Sequence, residues 1–453
     1  MAGIPAQHAW RYFFHMTDIR NLESIITHGL LSTNKKNELG IKHVNIANMS
    51  IQNRRATMDV PCGQKGKVHD YAPFYFSSLN PMLLGVLHKK NQDQPFLIFL
   101  CLKISKLETL SAVFTDASAN TTVPPHFYDD VADLDKLSWE LIDSKKWSFA
   151  TEDDRHRKMA EALIYGKVDF SQVDCIVVYN EGVKEYVDKI LENAGIKGVR
   201  VIYPYELVGF NYKFYYTKFF INGRENETLI SGPVFLKRNT EEGIKAVIEN
   251  RKNYQGSFAY DDIETLVSAI NEKFDCIKEL AGIFDLQSTN PMHPETVSLH
   301  TQTVVSNIKR TAFYRQTDSH TQKVLELAAY LHDIGKGPKE KWKDGMQPVY
   351  PDHPSDAIPM VCRILTEEVR NVSDEDVRTI LLLVAYHDIL GDCKSCGRDV
   401  EQVVEVIRSE VELDMLFAIS EADICSINAG WYDDFIKGKD EYRQRIMDLW
   451  RQE

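Results

Sequence analysis

The stretch AAYLHDIGKG (residues 328–337) closes an apolar run, TQKVLELAAYLHDI, whose apolar residues recur at helical spacing. His332 follows Ala328 by four residues and so falls on the same face of that helix. The His-Asp pair occurs twice more, in KVHDYAPFYF at His69 and in LLLVAYHDIL at His387. The copy at 387 also ends a helical stretch, whereas His69 precedes an aromatic run of period two, the mark of a strand.

Outward from this stretch, residues 286–453 read as one helix after another: TVSLHTQTVVSNI, TQKVLELAAYLHDI, SDAIPMVCRIL, DEDVRTILLLVAYHDI, DVEQVVEVIRSEV and LDMLFAISEADICSI. An all-α bundle is expected. Polar side chains interrupt its apolar faces. Asp423 lies at the edge of the stripe Met415, Ile419 and Ala422; His300 stands three residues after Val297 and four before Val304; His387 follows Leu383 by four. His353, between Asp352 and Pro354, opens a further helix. A carboxylate on a core-facing edge must be paired, hydrogen-bonded or coordinated, because burying it alone costs too much. Any one of these histidines reads as an ordinary core or surface residue. Together they are the imidazole and carboxylate set that binds water-activating divalent metals inside a helical bundle.

The order His300, His332-Asp333, His353, His387 and Asp423 resembles that of the HD-domain phosphohydrolases over about residues 290–430, with AAYLHDIGKG its most specific part. The opening NPMHPETVSLHT is also similar to the HD domains attached to some tRNA nucleotidyltransferases. The resemblance implies one or two divalent ions, Mn, Fe, Mg or similar. His300, His332, Asp333 and Asp423 would hold one, His353 and His387 imply a second, Asp333 would bridge them, and Lys336 would face substrate phosphate. Two ions could clamp the attacking and leaving oxygens of a phosphoester whose identity the sequence leaves open. A regulatory HD domain without turnover is the alternative.

Residues 1–208 read as an α+β domain. RNLESIITHGLLS is a short amphipathic helix with Leu22, Ile25 and Ile26 on one side and Gly29 placed to cap it. FYFSS, FLIFLCLKI, EALIY, CIVVY and GVRVIY have the aromatic and β-branched content of buried strands. Five segments in order, FFHMTDIRNLESIITHGLLS, NIANMSIQNRR, VHDYAPFYFSSLNPML, VFTDASAN and RKMAEALIYGKV, resemble the DarT-type ADP-ribosyltransferases, toxins that move ADP-ribose from NAD to thymidine in single-stranded DNA. The first His-Asp pair then belongs to a loop entering strand FYFSS, not to a metal site.

Cleaving the nicotinamide–ribose bond develops an oxocarbenium-like cation. The site therefore needs a nearby carboxylate, a dock for the carboxamide and positive charge for the pyrophosphate. By resemblance Glu161 is the catalytic carboxylate, which orients the ribose and acts as base toward the nucleophile. His15 and Thr17, in the order HxT, would hold nicotinamide and its ribose, and Asn21 matches the asparagine that follows. Arg54 or Arg55 would meet the pyrophosphate, and spacing does not choose between them. Two departures bear on the base recognised and on DNA contact: Ser118 stands where a histidine is expected, and SSLNPML replaces a more basic form.

Between the two halves, residues 209–285 read as a small α/β connector, with Asn222-Gly223 signalling a hairpin. The 453 residues carry a net charge of -13, yet residues 1–110 hold 13 Lys and Arg against 7 Asp and Glu, a balance of +6 that leaves -19 for the rest. The N-terminal quarter alone suits a polyanion. No secretory leader or membrane-length apolar run is present, so a cytoplasmic protein with reduced cysteines is expected. The lone CxxC at Cys393 and Cys396 lacks the further soft ligands that zinc needs. The resulting expectation is a fused transferase and hydrolase with NAD and single-stranded DNA as partners, in a toxin or phage-defence role that leaves an antitoxin partner open. The rival readings are an N-terminal domain that senses NAD or a nucleotide without transfer, and a nucleic-acid binder without turnover.

Overall fold

A computed structural model describes residues 3–47, 49–120, 124–146, 148–203, 212–216, 230–291 and 295–452. Its contacts divide the chain into two units, one within Met1–His88 and Gln92–Tyr216, the other within Lys89–Asn91 and Thr217–Glu453.

The N-terminal unit is built on an eight-stranded sheet. Its strands are β1 (Tyr12–Asp18), β2 (Tyr71–Tyr75), β3 (Leu97–Lys103), β4 (Ala112–Thr115), β5 (Phe127–Tyr128), β6 (Glu161–Tyr165), β7 (Cys175–Val177) and β8 (Arg200–Ile202). They lie in the order β8-β7-β3-β1-β2-β6-β4-β5. The continuous apolar run of β3 is buried on both faces, as a central strand requires. It pairs antiparallel with β1 along the whole strand, from Tyr12↔Lys103 to Asp18↔Leu97. β2 pairs with β6 from Tyr71↔Tyr165 to Tyr75↔Glu161. Between these ladders, β1 and β2 share only the position Phe14↔Tyr75, so the sheet has a seam there.

The helix read over residues 20–32 is α1 (Leu22–His28), capped by Gly29 at φ 82°. Leu22 and Ile25 enter a core with Phe13, Phe74, Ile98 and Leu100, and Ile26 packs at its edge. A Cβ on Gly29 would also meet the Val168 carbonyl oxygen at 2.8 Å. Two further helices, α2 (Thr33–Glu38) and α3 (Met49–Thr57), follow before β2, and α4 (Glu152–Lys158) immediately precedes β6.

The C-terminal unit is helical. Its main elements are α5 (Pro233–Asn253), α6 (Ile263–Glu272), α7 (Lys278–Ile283), α8 (Val297–Ile308), α9 (Ser319–Leu331), α10 (His353–Glu367), α11 (Asp374–Ala385) and α12 (Glu410–Ile427). They share one apolar core that runs from Leu236 and Val247 on α5 to Leu416 and Ile419 on α12. The segment 209–285, expected as a connector, contributes its helices to this core. Its helices present apolar faces that must be covered; Leu236, Leu266, Val267, Leu280 and Ile283 are buried in the C-terminal core, while residues 212–216 belong to the N-terminal unit. The Asn222-Gly223 hairpin lies outside the described residues. A correction concerns DVEQVVEVIRSEV. It is not one helix: the first ends at Val404, and Ser409 caps α12 by accepting from the Glu412 amide and so starts a new helix at 410.

Candidate functional site

Glu161 opens β6, directly after α4. That helix carries acids in its first turn and bases in its last, as the helix dipole favours. The Glu161 carboxylate is fully buried. Arg55, from the last turn of α3 and 6% exposed, meets it in a bidentate pair: Nη1 donates to Oε1 at 2.8 Å and Nη2 to Oε2 at 2.9 Å. Oε1 also accepts from the Ala119 amide at 2.7 Å and the Ser118 hydroxyl at 3.3 Å. The Glu161 amide donates to Thr115 Oγ1, whose hydroxyl donates to the Ala117 carbonyl. The segment after β4 therefore grips the carboxylate from side chain and backbone. Burial works against the Arg55 charge, but Glu161 outweighs it and raises the guanidinium pKa. Among the described residues Oε2 accepts from Arg55 alone, so this oxygen keeps acceptor capacity.

The adjacent arginines diverge. Arg54 is turned to the Asn120 carbonyl, to which its Nε donates at 3.1 Å. Asn21 and Thr17 are brought together: Asn21 Nδ2 donates to Thr17 Oγ1 at 3.0 Å and to the Val44 carbonyl at 2.9 Å, and its Oδ1 accepts from the Val44 amide at 2.8 Å. Asn21 thus clamps the segment 41–47 against the end of β1. Pleating turns His15 away from the face that carries Tyr75 and Glu161. Its ring lies across the seam, with Nδ1 2.7 Å from the Pro73 carbonyl and the ring centroid 5.7 Å from that of Phe74. A carbonyl only accepts, so Nδ1 carries the proton and Nε2 keeps its lone pair. Burial pushes the His15 pKa down to about 4, and the Lys36 charge adds to the effect.

Lys36 escaped the sequence reading. Its Nζ lies 2.7 Å from His43 Nε2, burial lowers its pKa, and its charge acts on both His15 and His69. No carboxylate pairs with it among the described residues. A lysine in the run TNKKNE carries no periodic signal that could have marked it. His69 and Asp70 form a short turn into β2, where Asp70 accepts from the Lys67 amide and from Asn34.

In the C-terminal unit His332 follows the last residue of α9 and Asp333 has left the helix, so the His-Asp pair sits on the turn beyond it. Asp333 Oδ2 lies 3.5 Å from His300 Nε2 and 3.3 Å from His332 Nε2, while Oδ1 lies 3.2 Å from His353 Nε2. Asp423 Oδ1 is 3.1 Å from His300 Nε2 and 3.9 Å from His332 Nε2. Two groups of metal-competent atoms result, His300, His332 and Asp333, and Asp333, His353 and His387, with Asp333 common to both.

The donor chemistry fits divalent ions. His332, His353 and His387 direct Nδ1 to the carbonyls of Ala329, Tyr350 and Val384 at 2.8, 2.8 and 2.9 Å. These bonds place the proton on Nδ1 and leave Nε2 as a lone pair. His332 Nε2 and Asp423 Oδ1 are buried without a hydrogen-bond partner. His353 Nε2 and His387 Nε2 face each other at 3.2 Å. Burial depresses both of these pKa values, with Lys336 adding to the fall at His353, so two neutral acceptors meet where a cation would relieve them. Burial alone would raise the Asp333 carboxyl, but His332, which its acidic neighbours protonate when no cation holds Nε2, and Lys336 hold it well below the usual range. Lys336, expected to face substrate phosphate, donates instead to Asp333 Oδ2 at 2.6 Å. Asp388 pairs with Lys90, apart from the His387 ring function.

The family described as "ssDNA thymidine ADP-ribosyltransferase, DarT" matches residues 14–208. A DNA ADP-ribosyl transferase of Thermus sp. (strain 2.9) is 33% identical over 184 residues, which cover 40% of this chain and 86% of that protein. One of Escherichia coli O127:H6 (strain E2348/69 / EPEC) is 30% identical over 164 residues, covering 33% and 71%. Among solved structures, Thermus sp. 2.9 DarT in complex with NAD+ is 27% identical, covers 46% of this chain and 100% of that one, and superposes with a TM-score of 0.39.

Proposed function

The chain belongs, through its N-terminal unit, to the DarT family of DNA ADP-ribosyltransferases, and on that premise we propose that it transfers ADP-ribose from NAD to thymidine in single-stranded DNA, with Glu161 as the catalytic carboxylate. The observation that carries this reading is the buried Arg55–Glu161 pair. Arg55 and the Ser118–Ala119 segment fix Glu161 in place, and Oε2 remains able to accept a ribose hydroxyl. As the glycosidic bond breaks, nicotinamide leaves with the bonding electron pair and positive charge grows on the ribose. A rigid carboxylate beside it stabilises that charge more than it stabilises the ground state. Glu161 then takes the proton that the attacking base gives up.

NAD entering the β1–β2 seam would find the His15 Nε2 lone pair and Thr17 on one wall, with Lys36 offering charge to the pyrophosphate. Asn21 holds the segment that carries His43. Arg54 is left for DNA phosphate. Incubation of labelled NAD with single-stranded oligonucleotides tests the reading. Label should enter only those that contain thymidine, with release of one nicotinamide per transfer. Release of free ADP-ribose without a labelled strand would indicate a glycohydrolase instead.

For the C-terminal unit we propose a divalent-metal phosphohydrolase of the HD type. Support comes from the inward lone pairs and the orphaned His332 and Asp423 atoms. His300, His332, Asp333 and Asp423 would hold one ion, and Asp333, His353 and His387 a second. When bound, such ions supply an acidified water and a clamp on phosphoester oxygens. Lys336 is close enough to Asp333 to trade that contact for a substrate phosphate. Metal analysis of the wild type and of His332→Ala checks this half: Mn2+ or Fe2+ should co-purify with the first and be lost from the second, and a metal-free wild type would refute it.

A further inference from the structure

The four imidazoles of the C-terminal cluster reach the same tautomer by two routes. His332 and His387 lie just past helix C-termini and His353 opens a helix, and each directs Nδ1 to the carbonyl three residues earlier. For His332 and His387 these are last-turn carbonyls, available because no helical amide claims them, and for His353 the carbonyl lies ahead of the helix. His300 is placed differently, inside α8. The corresponding carbonyl, that of Val297, already accepts from the Thr301 hydroxyl at 2.9 Å. His300 turns instead to another helix, where Ser426 Oγ lies 3.0 Å from its Nδ1.

The direction of that bond follows from Ser426 itself. Its hydroxyl has one proton, and it lies 2.6 Å from the Asp423 carbonyl, which can only accept. The hydroxyl proton goes to Asp423, so toward His300 the oxygen must accept. Nδ1 of His300 is therefore the protonated nitrogen, and Nε2 presents its lone pair to Asp333 and Asp423. Ser426 lies three residues after Asp423 on α12, so one hydroxyl joins the backbone of one acidic ligand to the ring of a histidine ligand on α8.

We propose that Ser426 is a positioning residue of the metal centre, which sets the tautomer and orientation of His300 for the subsite formed with His332, Asp333 and Asp423. The proposal rests on the metal reading of the cluster. Its consequence is asymmetric, because the subsite of Asp333, His353 and His387 takes no support from Ser426.

The full chain, stripped with chelator and titrated with Mn2+ by calorimetry, provides the test. In Ser426→Ala one of two binding events should weaken by about 10- to 100-fold, the usual effect of removing an outer partner of a ligating histidine, while the other is unchanged. Ser426→Thr, which keeps the hydroxyl, should restore the first event. Unaltered binding of both ions by a folded Ser426→Ala protein would overturn the proposal, as would equal weakening of both events or failure of threonine to rescue. A wild type that binds no Mn2+ would overturn the metal reading itself, which distinguishes that failure from this one.

Discussion

Among the described residues Arg55 is the one charged partner of the buried Glu161 carboxylate, and the consequence of separating them is specific. Arg55→Ala should leave an uncompensated carboxylate in the core and cost about 3–5 kcal/mol by urea denaturation. Neutralising both, as in Arg55→Met with Glu161→Gln, should recover much of that loss while remaining inactive. A double variant less stable than Arg55→Ala would show that the pair is not the source of the cost. His15 offers a pH signature. Its folded pKa of about 4 lies below the value near 6.5 expected in the unfolded chain, so between these values the unfolded state binds the extra proton. Its contribution is therefore intact above about pH 6.5 and lost as pH falls toward 4. A His15 NMR titration with a midpoint near 6.5 would refute the buried, neutral imidazole. Sequence offered Arg54 or Arg55 for the pyrophosphate and could not choose; neighbours on a helix point in different directions, and the fold turns Arg55 to Glu161 and Arg54 to the Asn120 carbonyl.

At the level of elements, the apolar periodicity of α1, α8, α9 and α12 and the uninterrupted run of β3 were readable because burial dictated them. β1 was not read as a strand. His15, Thr17 and Asp18 break its apolar alternation, and two of these belong to the proposed site. The turn after α9 carries His332 and Asp333 of the proposed metal site. Gly335 lies so close to α10 that an added Cβ would stand 2.0 Å from the His353 carbonyl oxygen and 2.7 Å from the Ala357 amide nitrogen. Neither is the movable end of a side chain. Gly335→Ala should therefore displace the start of α10, with an overpacking cost of about 1–3 kcal/mol and loss of Mn2+ binding at the proposed subsite that includes His353. Wild-type Mn2+ affinity in that variant would contradict the placement of His353.

For the whole molecule, each of the two units is expected to respond to the ligand it binds. A ligand stabilises the unit it binds, by about 2.7 kcal/mol at a concentration 100 times its Kd. In Glu161→Gln, NAD should slow amide exchange in β1, β2 and β6, and Mn2+ should slow it in α8, α9 and α10. Absence of protection in the unit assigned to either ligand, at saturating concentration, would contradict the assignments. The ADP-ribosyltransferase resemblance was legible in the N-terminal half, whereas the apolar faces of α5 to α7 do not say in sequence which core will cover them; in the structure they join the core of the C-terminal unit. Among the described residues no helix is long and apolar enough to cross a membrane. The central claim, that the carboxylate at position 161 drives transfer, is tested most directly by the single-turnover rate of ADP-ribosylation of a thymidine oligonucleotide. Glu161→Gln should bind NAD as the wild type does and react at least about 100-fold more slowly; an undiminished rate in a folded variant would contradict the account.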